Sequence, residues 1–281
     1  RSRIAKIRIV SDKGADTGVI TIIQGEVSDE PEPEKEITDG KYYLMNVAST
    51  RCWGSGNSWG TQASLVKHPE YVTLLKQPDG TYFLESQVSN GGNAIYFEGD
   101  YMDNGNPKAL VITKLEEPIG YADDEETKPV WAYTIANTDG QYYGYDGTST
   151  VLGKNIDITT EDGLERAIWI IASEEEALEG LKSATVEDNM DATFLILDPN
   201  FGRNNRNYNA WTFEAANKNN AGDNSNFCVE SYHSEFTMSQ TVENVPNGVY
   251  KMVAQGFYRQ DGEDNENLPV FFINDVTSTF P

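Results

Sequence analysis

A short glycine-rich stretch in the first quarter of the chain has the residue types of a hydrolytic nucleophile. Residues 56–60 read Gly-Asn-Ser-Trp-Gly and fit the G-x-S-x-G pattern, in which a serine is exposed on a sharp turn between a strand and a helix. That serine also needs a histidine base, and the chain contains only His68 and His233. No helical pattern follows the stretch, so we interpret it as a loop and predict a protein without catalytic activity.

Metal chemistry is restricted by the same residue counts. Two histidines cannot build a three-histidine zinc site, and neither H-E-x-x-H nor C-x-x-C occurs in the chain. The 45 acidic residues leave structural calcium open, because that ion prefers oxygen ligands. Asp100, Asp103, Asn104 and Asn106 offer such oxygens, but Met102 stands where an EF-hand needs a ligand. We interpret this segment as a solvated turn and expect no organic cofactor.

Aromatic and amide side chains around the glycine-rich loop indicate binding. Trp53, Asn57 and Trp59 lie in or beside it. Aromatic faces stack on the C–H faces of sugars, while amide and carboxylate groups bind hydroxyls. These three residues are therefore candidate contacts for a ligand with apolar faces and hydroxyl groups, although one of the two tryptophans can equally pack beneath the loop as core.

A second group of candidate residues lies further along the chain. Tyr143, Tyr145 and Asp146 combine two aromatic rings with a carboxylate. Tyr142 and Tyr143 are adjacent in a strand-like run, so their side chains point to opposite faces and one of them belongs to the core. Arg259 follows an apolar run near the end of the chain and is predicted either to bind ligand hydroxyls or to pair with Glu230.

The overall charge narrows the classes of partner. The net charge is −24 and the pI is about 4.3, which disfavours nucleic acid and anionic membrane surfaces. No apolar run is long enough to cross a bilayer, so we predict no membrane insertion.

The two cysteines of the chain, Cys52 and Cys228, are too few for a disulfide framework and are interpreted as buried thiols. The chain begins at Arg1 and is read as a mature or trimmed form.

The elements that carry these residues are predicted to be short strands. Residues 4–10 and 18–23 alternate apolar and polar types and form a predicted hairpin, followed by an acidic linker with prolines at 26–36. From residue 38 onward a Gly-x-Tyr-aromatic pattern occurs three times, beginning at Gly40, Gly80 and Gly140. We predict three units of about four strands each, closed by apolar strands at 71–75, 130–135 and 167–171.

From residue 173 the spacing of apolar residues changes from that of a strand to that of a helix. Ser173 and Glu176 match a capping box before a helical stripe, which predicts a short helix over residues 173–184. Strands return after Asp191, at 193–197, 227–230, 236–242, 249–257 and 270–273, with an Asn-rich loop over 204–226.

Three families share parts of these patterns. Residues 1–27 resemble the last hairpin of a BACON domain, through the Ile-Thr-Ile-Ile-Gln-Gly ending. Residues 38–173 resemble a ricin B-type β-trefoil in their triplicated units, although the usual Gln-x-Trp closing motif is absent. Residues 188–281 resemble an incomplete galactose-binding-like jelly roll, through 191–201, Trp211-Thr212 and the run from Phe236 to Arg259. Residues 28–37 and 174–187 are then the acidic linker and the linking helix.

These resemblances imply an all-β, multi-domain, lectin-like protein that acts outside the cell or at its surface. Their expected function is non-catalytic binding of glycan or polysaccharide. The alternatives are an adhesion or scaffold protein, whose modules act as spacers, and the accessory binding region of a larger glycoside hydrolase.

Overall fold

Antiparallel β-structure dominates the chain. The computed structural model describes residues 4–10, 16–23, 36–57, 61–89, 92–121, 129–201, 210–215, 229, 235–256 and 270–279. The chain divides into two compact bodies, Arg1–Pro246 and Asn247–Pro281. Two short α-helices lie among the strands of the described residues, and the prediction of an all-β fold is confirmed.

The elements are short, as the many glycines and turn residues predict. The strands are β1 Ile4–Val10, β2 Asp16–Ile23, β3 Gly40–Asn46, β4 Arg51–Asn57, β5 Gln62–Val66, β6 Val72–Lys76, β7 Tyr82–Ser86, β8 Tyr96–Phe97, β9 Met102–Asp103, β10 Leu110–Lys114, β11 Gly120–Tyr121, β12 Pro129–Val130, β13 Tyr133–Asn137, β14 Tyr142–Gly144, β15 Gly153–Lys154, β16 Ile168–Ser173, β17 Thr212–Ala215, β18 Phe236–Ser239, β19 Val270–Ile273 and β20 Val276–Thr279. The helices are α1 Glu161–Ala167 and α2 Glu174–Lys182.

Six strands close into a barrel. β3 pairs with β6, β6 with β7, β7 with β10, β10 with β13, β13 with β16, and β16 pairs again with β3. The other strands of this twelve-stranded sheet form three hairpins, β4–β5, β8–β9 and β14–β15. The chain from β3 to β16 therefore contains three units, each with two barrel strands and one hairpin. The closed ring of six strands has no free edge strand.

The third unit begins one strand earlier than the sequence pattern predicts. Gly40 and Gly80 lie at the starts of barrel strands β3 and β7, but Gly140 precedes β14, which is a hairpin strand. The matching barrel strand is β13, where Tyr133 is buried. Residues 130–135, predicted to close the second unit, contain the start of this strand; β10 closes that unit. An Asp-Gly turn followed by two aromatic residues can precede any buried strand, so this pattern alone does not show which strand begins a unit.

Aromatic rings from the three hairpins meet in the buried core. Trp53 of β4, Phe97 of β8 and Tyr143 of β14 occupy the first strand of each hairpin, and all three are buried. The ring centroid of Trp53 lies 4.9 Å from that of Phe97, 5.9 Å from that of Tyr143 and 5.3 Å from that of Trp169 in β16. The indole nitrogen of Trp169 donates to the carbonyl oxygen of Tyr143 at 3.0 Å. One large aromatic from each unit therefore meets at the centre.

The predicted capping box starts α2. The Ser173 hydroxyl accepts from the Glu176 backbone N–H at 3.2 Å, and the Glu176 carboxylate accepts from the Ser173 backbone N–H at 2.7 Å. Leu181 of this helix is buried with Tyr43 of β3 and Phe194. The Tyr43 hydroxyl also donates to the carbonyl oxygen of Phe194 at 3.2 Å. The helix therefore packs between the barrel and the segment that follows it.

A buried polar contact joins that following segment to the barrel. The side-chain amide of Asn200 donates to Glu70 Oε1 at 2.8 Å and to the His68 carbonyl oxygen at 2.9 Å. Its Oδ1 accepts from the His68 backbone N–H at 3.2 Å. Asn200 and Glu70 are 8% and 5% exposed, so this contact, which we call the Asn200 junction, is shielded from water.

Among the described residues after 190, two of the predicted strands are absent. Residues 193–195 are a 3₁₀ turn instead of a strand, and residues 249–256 contain no strand. β17 pairs with β18 and β19 with β20, both antiparallel. β17 lies within the Asn-rich segment that was predicted to be loop; the strand predicted at 227–230 falls largely outside the described residues. Near the start of the chain, β1 and β2 form the predicted hairpin.

Candidate functional site

Of the three glycan-binding residues predicted in the first unit, Trp53 is the one whose side chain the structure describes. Trp53 was predicted to be a stacking residue, but its exposed fraction is 0%, so it offers no ring face to a ligand. Asn57 ends β4 through backbone pairing with Gln62, and its side chain lies outside the description. Trp59 and Arg259 also lie outside the described residues.

The structure divides the third-unit candidates between core and surface. Tyr143 is 4% exposed and packs in the buried core, so its predicted contact with a ligand is wrong. Its burial fits the expectation that Tyr142 or Tyr143 is core. Tyr145 is half-buried and packs against the core, and Asp146 is exposed. Tyr145 and Asp146 therefore remain as neighbouring candidates on one loop.

Hydrogen bonds hold this loop, which we call the Asp146 loop (residues 145–149). Asp146 Oδ1 accepts from the Thr148 backbone N–H at 2.8 Å and from the Ser149 backbone N–H at 2.7 Å. The Thr148 hydroxyl donates to the same oxygen at 3.3 Å. Gly147 adopts a φ of +94°, a left-handed conformation that glycine reaches without strain. The carboxylate is thus held in one place at the protein surface.

Arg166 supports the loop from the side, and sequence reasoning missed it. Its Nη1 donates to the Asp146 carbonyl oxygen at 3.0 Å, while its Nη2 pairs with Asp162 Oδ2 at 2.6 Å, one turn earlier in α1. The Tyr145 backbone N–H donates to the Arg166 carbonyl oxygen at 2.9 Å. A Cβ at Gly144 would collide with that oxygen, so β14 needs glycine there. The i, i+4 spacing of Asp162 and Arg166 was the available sequence signal.

The hydrogen bonds to Asp146 also lower the pKa of its carboxyl group. Partial burial raises the pKa of Asp146, but hydrogen bonds from Ser149 and Thr148 outweigh it and hold the pKa below its ordinary value of 3.8. A lowered folded-state pKa contributes stability that is present above the unfolded value and is lost as pH falls through the folded value. The carboxylate is therefore ionised at neutral pH.

We expect an NMR pH titration that follows the Asp146 side-chain carboxyl carbon to give a midpoint below 3.8, because the bound N–H groups favour the charged form. The same titration of the protein unfolded in urea gives the reference midpoint. A midpoint at or above the ordinary value would contradict this description of the loop.

The other predicted site chemistry concerns metals and thiols. Asp100 pairs with Lys154 at 2.6 Å, and Asp103 Oδ1 accepts from the Asn104 backbone N–H at 2.9 Å. Within the described ranges, no group of three or more His, Cys, Asp or Glu side chains is placed to hold a metal ion. Burial, with Glu70 nearby, raises the pKa of the Cys52 thiol to about 12, so this free cysteine stays neutral. Cys228 and His233 fall outside the description.

Comparison with known proteins does not identify a family for the chain. No family model matches the chain, and no curated protein matches it. Among solved structures, a salivary protein from Culex quiquefasciatus of the cysteine and tryptophan-rich family aligns with 49% of this chain and 96% of its own, at 15% identity and a TM-score of 0.30. In the part of the chain that the structure describes, no helix has the length and apolar character needed to cross a membrane.

Proposed function

We propose that the chain is a non-catalytic glycan-binding protein and that residues 38–173 are its β-trefoil lectin domain. The closed six-strand barrel with one hairpin from each of three units supports this fold. We further propose that residues 188–281 belong to a galactose-binding-like jelly roll, that residues 1–27 are a BACON-like hairpin, and that the protein acts outside the cell or at its surface.

The Asp146 loop is the observation on which the binding function depends. It presents an ionised, exposed carboxylate next to a half-buried tyrosine ring, on a backbone fixed by hydrogen bonds. A sugar has apolar C–H faces and hydroxyl edges. The Tyr145 ring can stack on the first, and the Asp146 carboxylate can accept hydrogen bonds from the second.

Rigidity favours binding by so small a surface. A loop that is already ordered loses little conformational entropy when the ligand arrives. Arg166 contributes by holding the Asp146 carbonyl oxygen, and we assign it a positioning role. The contact is shallow, so we expect weak binding to a single site and stronger binding to surfaces that present many copies of the glycan.

The Asp146→Ala variant tests this proposal on an array of neutral oligosaccharides, followed by calorimetry with the sugars that bind. We expect the change to weaken binding by about ten-fold or more, because a charge-assisted hydrogen bond contributes about 1.5–3 kcal/mol.

Asp79→Ala is the matched control for that experiment. Asp79 Oδ1 also accepts from a backbone N–H and a hydroxyl two residues on, both of Thr81, but it lies in the turn between β6 and β7. This variant is expected to bind like the unmodified protein. Equal binding by both variants, or no binding by the unmodified protein to any sugar on the array, would rule the proposal out.

A further inference from the structure

A crevice lies where the second unit meets the segment after α2. It has a volume of about 160 Å³. One side is lined by Glu85 near the end of β7 and by Gln87 and Val88 just after that strand, and the other side by Leu197 and Ala210 of the later segment. Pockets for drug-sized ligands span about 300–1,000 Å³, so this crevice has room for a single small ring.

The walls of the crevice are fixed by glutamine side chains. Gln240 Oε1 accepts from the Leu197 backbone N–H at 2.8 Å, and its Nε2 donates to the carbonyl oxygens of Leu197 at 3.0 Å and Ala210 at 2.7 Å. Gln87 Oε1 accepts from the Asp198 backbone N–H at 3.2 Å. The crevice is therefore built by two parts of the chain that are tied to each other.

One polar group at this site is left without a partner. Because Asp198 donates to Oε1, the orientation of the Gln87 amide is set and its Nε2 is the other end. That nitrogen is buried and makes no hydrogen bond. A buried donor without an acceptor is costly, and native proteins have few of them. The arrangement suits an oxygen acceptor supplied by a ligand.

The surrounding groups restrict the ligand. Val88, Leu197 and Ala210 give the crevice an apolar side, and Gln87 gives it a donor. The Glu85 carboxylate and the net charge of −24 oppose an anion, and the Gln87 donor requires a hydrogen-bond acceptor, which a metal cation does not supply. A neutral molecule with an apolar face and hydroxyl oxygens meets these conditions.

We infer that this crevice is a second ligand site, which holds one neutral sugar ring with a ring or hydroxyl oxygen accepting from Gln87 Nε2. The inference takes only its ligand class from the proposed function, since the crevice shares no residue with the Asp146 loop. A sugar bound here would contact both the barrel and the later segment.

NMR titration with the methyl glycosides of galactose, glucose, mannose and N-acetylglucosamine tests the site. At least one is expected to shift the side-chain amide signal of Gln87 and the backbone amides of Val88 and Leu197. The Thr148 and Ser149 amides report on the Asp146 loop in the same spectra. Shifts at those amides with none at Gln87 would overturn this inference and leave the proposed function standing, and no shift at either place would overturn both.

The Gln87→Glu variant separates the donor from the fold. It keeps the oxygen that accepts from Asp198 and replaces the unpartnered donor with an acceptor, so affinity for the sugar is expected to fall about ten-fold. Gln141→Glu is the control, because Gln141 is exposed and its Oε1 also accepts a hydrogen bond, from Asn137 Nδ2. The spectra show directly whether each variant is folded. Unchanged affinity in a folded Gln87→Glu protein would contradict the site.

Discussion

The Trp53→Ala variant is expected to lose about 3–5 kcal/mol of its free energy of unfolding. Trp53 has no exposed surface and contacts Phe97, Tyr143 and Trp169, so its removal opens a cavity at the point where the three units meet. Packed interiors close such cavities only in part. Urea unfolding followed by circular dichroism measures the loss.

Three further variants make that result specific. Trp131→Ala removes a half-buried ring that lies under Lys114, with the ammonium 3.7 Å from the ring centroid, and we expect a loss of about 1 kcal/mol. Trp169→Phe is expected to cost about 0.5–1.5 kcal/mol more than Trp53→Phe, because only Trp169 loses an indole hydrogen bond. A Trp53→Ala protein as stable as the original would mean that the ring is not in the core.

The Asn200→Asp variant is expected to destabilise the fold by about 3–5 kcal/mol at neutral pH. It places a second carboxylate against Glu70 in a buried contact and removes the donor that Glu70 accepts from at 2.8 Å. Two carboxylates that share a site raise the pKa of one of them. A raised folded-state pKa penalises the fold above that pKa, so stability should recover as the pH falls through it.

Unfolding in urea at pH 7 and at pH 5 checks both parts of this prediction. Asn155→Asp is the matched control, because Asn155 is exposed and its φ of 59° is one that aspartate also tolerates. We expect the control to change stability by less than about 0.5 kcal/mol. A loss for Asn200→Asp that does not shrink at the lower pH would contradict the buried contact between the two carboxylates.

Much of the barrel is visible in the sequence. The Gly-x-Tyr pattern at Gly40 and Gly80 marks two barrel strands, and Ser173 with Glu176 marks the start of α2. These features depend on neighbours in the chain, and local patterns record them well. The start of the third unit depends on which strand reaches the ring, and that is settled by pairing between β10, β13 and β16.

The candidate site was harder to predict for the same reason. Trp53 and Tyr143 belong to the first strands of their hairpins and meet in the core, although each lies beside a loop in the sequence. A large aromatic near a glycine-rich loop has the same appearance whether it faces solvent or the interior. Asp146 was predicted as a carboxylate beside two tyrosines, and it is exposed in the structure. Arg166 was missed because it is 20 residues from the loop that it supports.

The pairing of β3 with β16 has a mechanical consequence. Tyr42 lies opposite Ser173, so the chain enters and leaves the barrel through neighbouring positions, about 5 Å apart. Tension applied along the chain through these two points would load the hydrogen bonds between β3 and β16 one after another, as in a zipper. The barrel would open at this seam under modest force, while the same bonds resist together when the strands are sheared lengthwise.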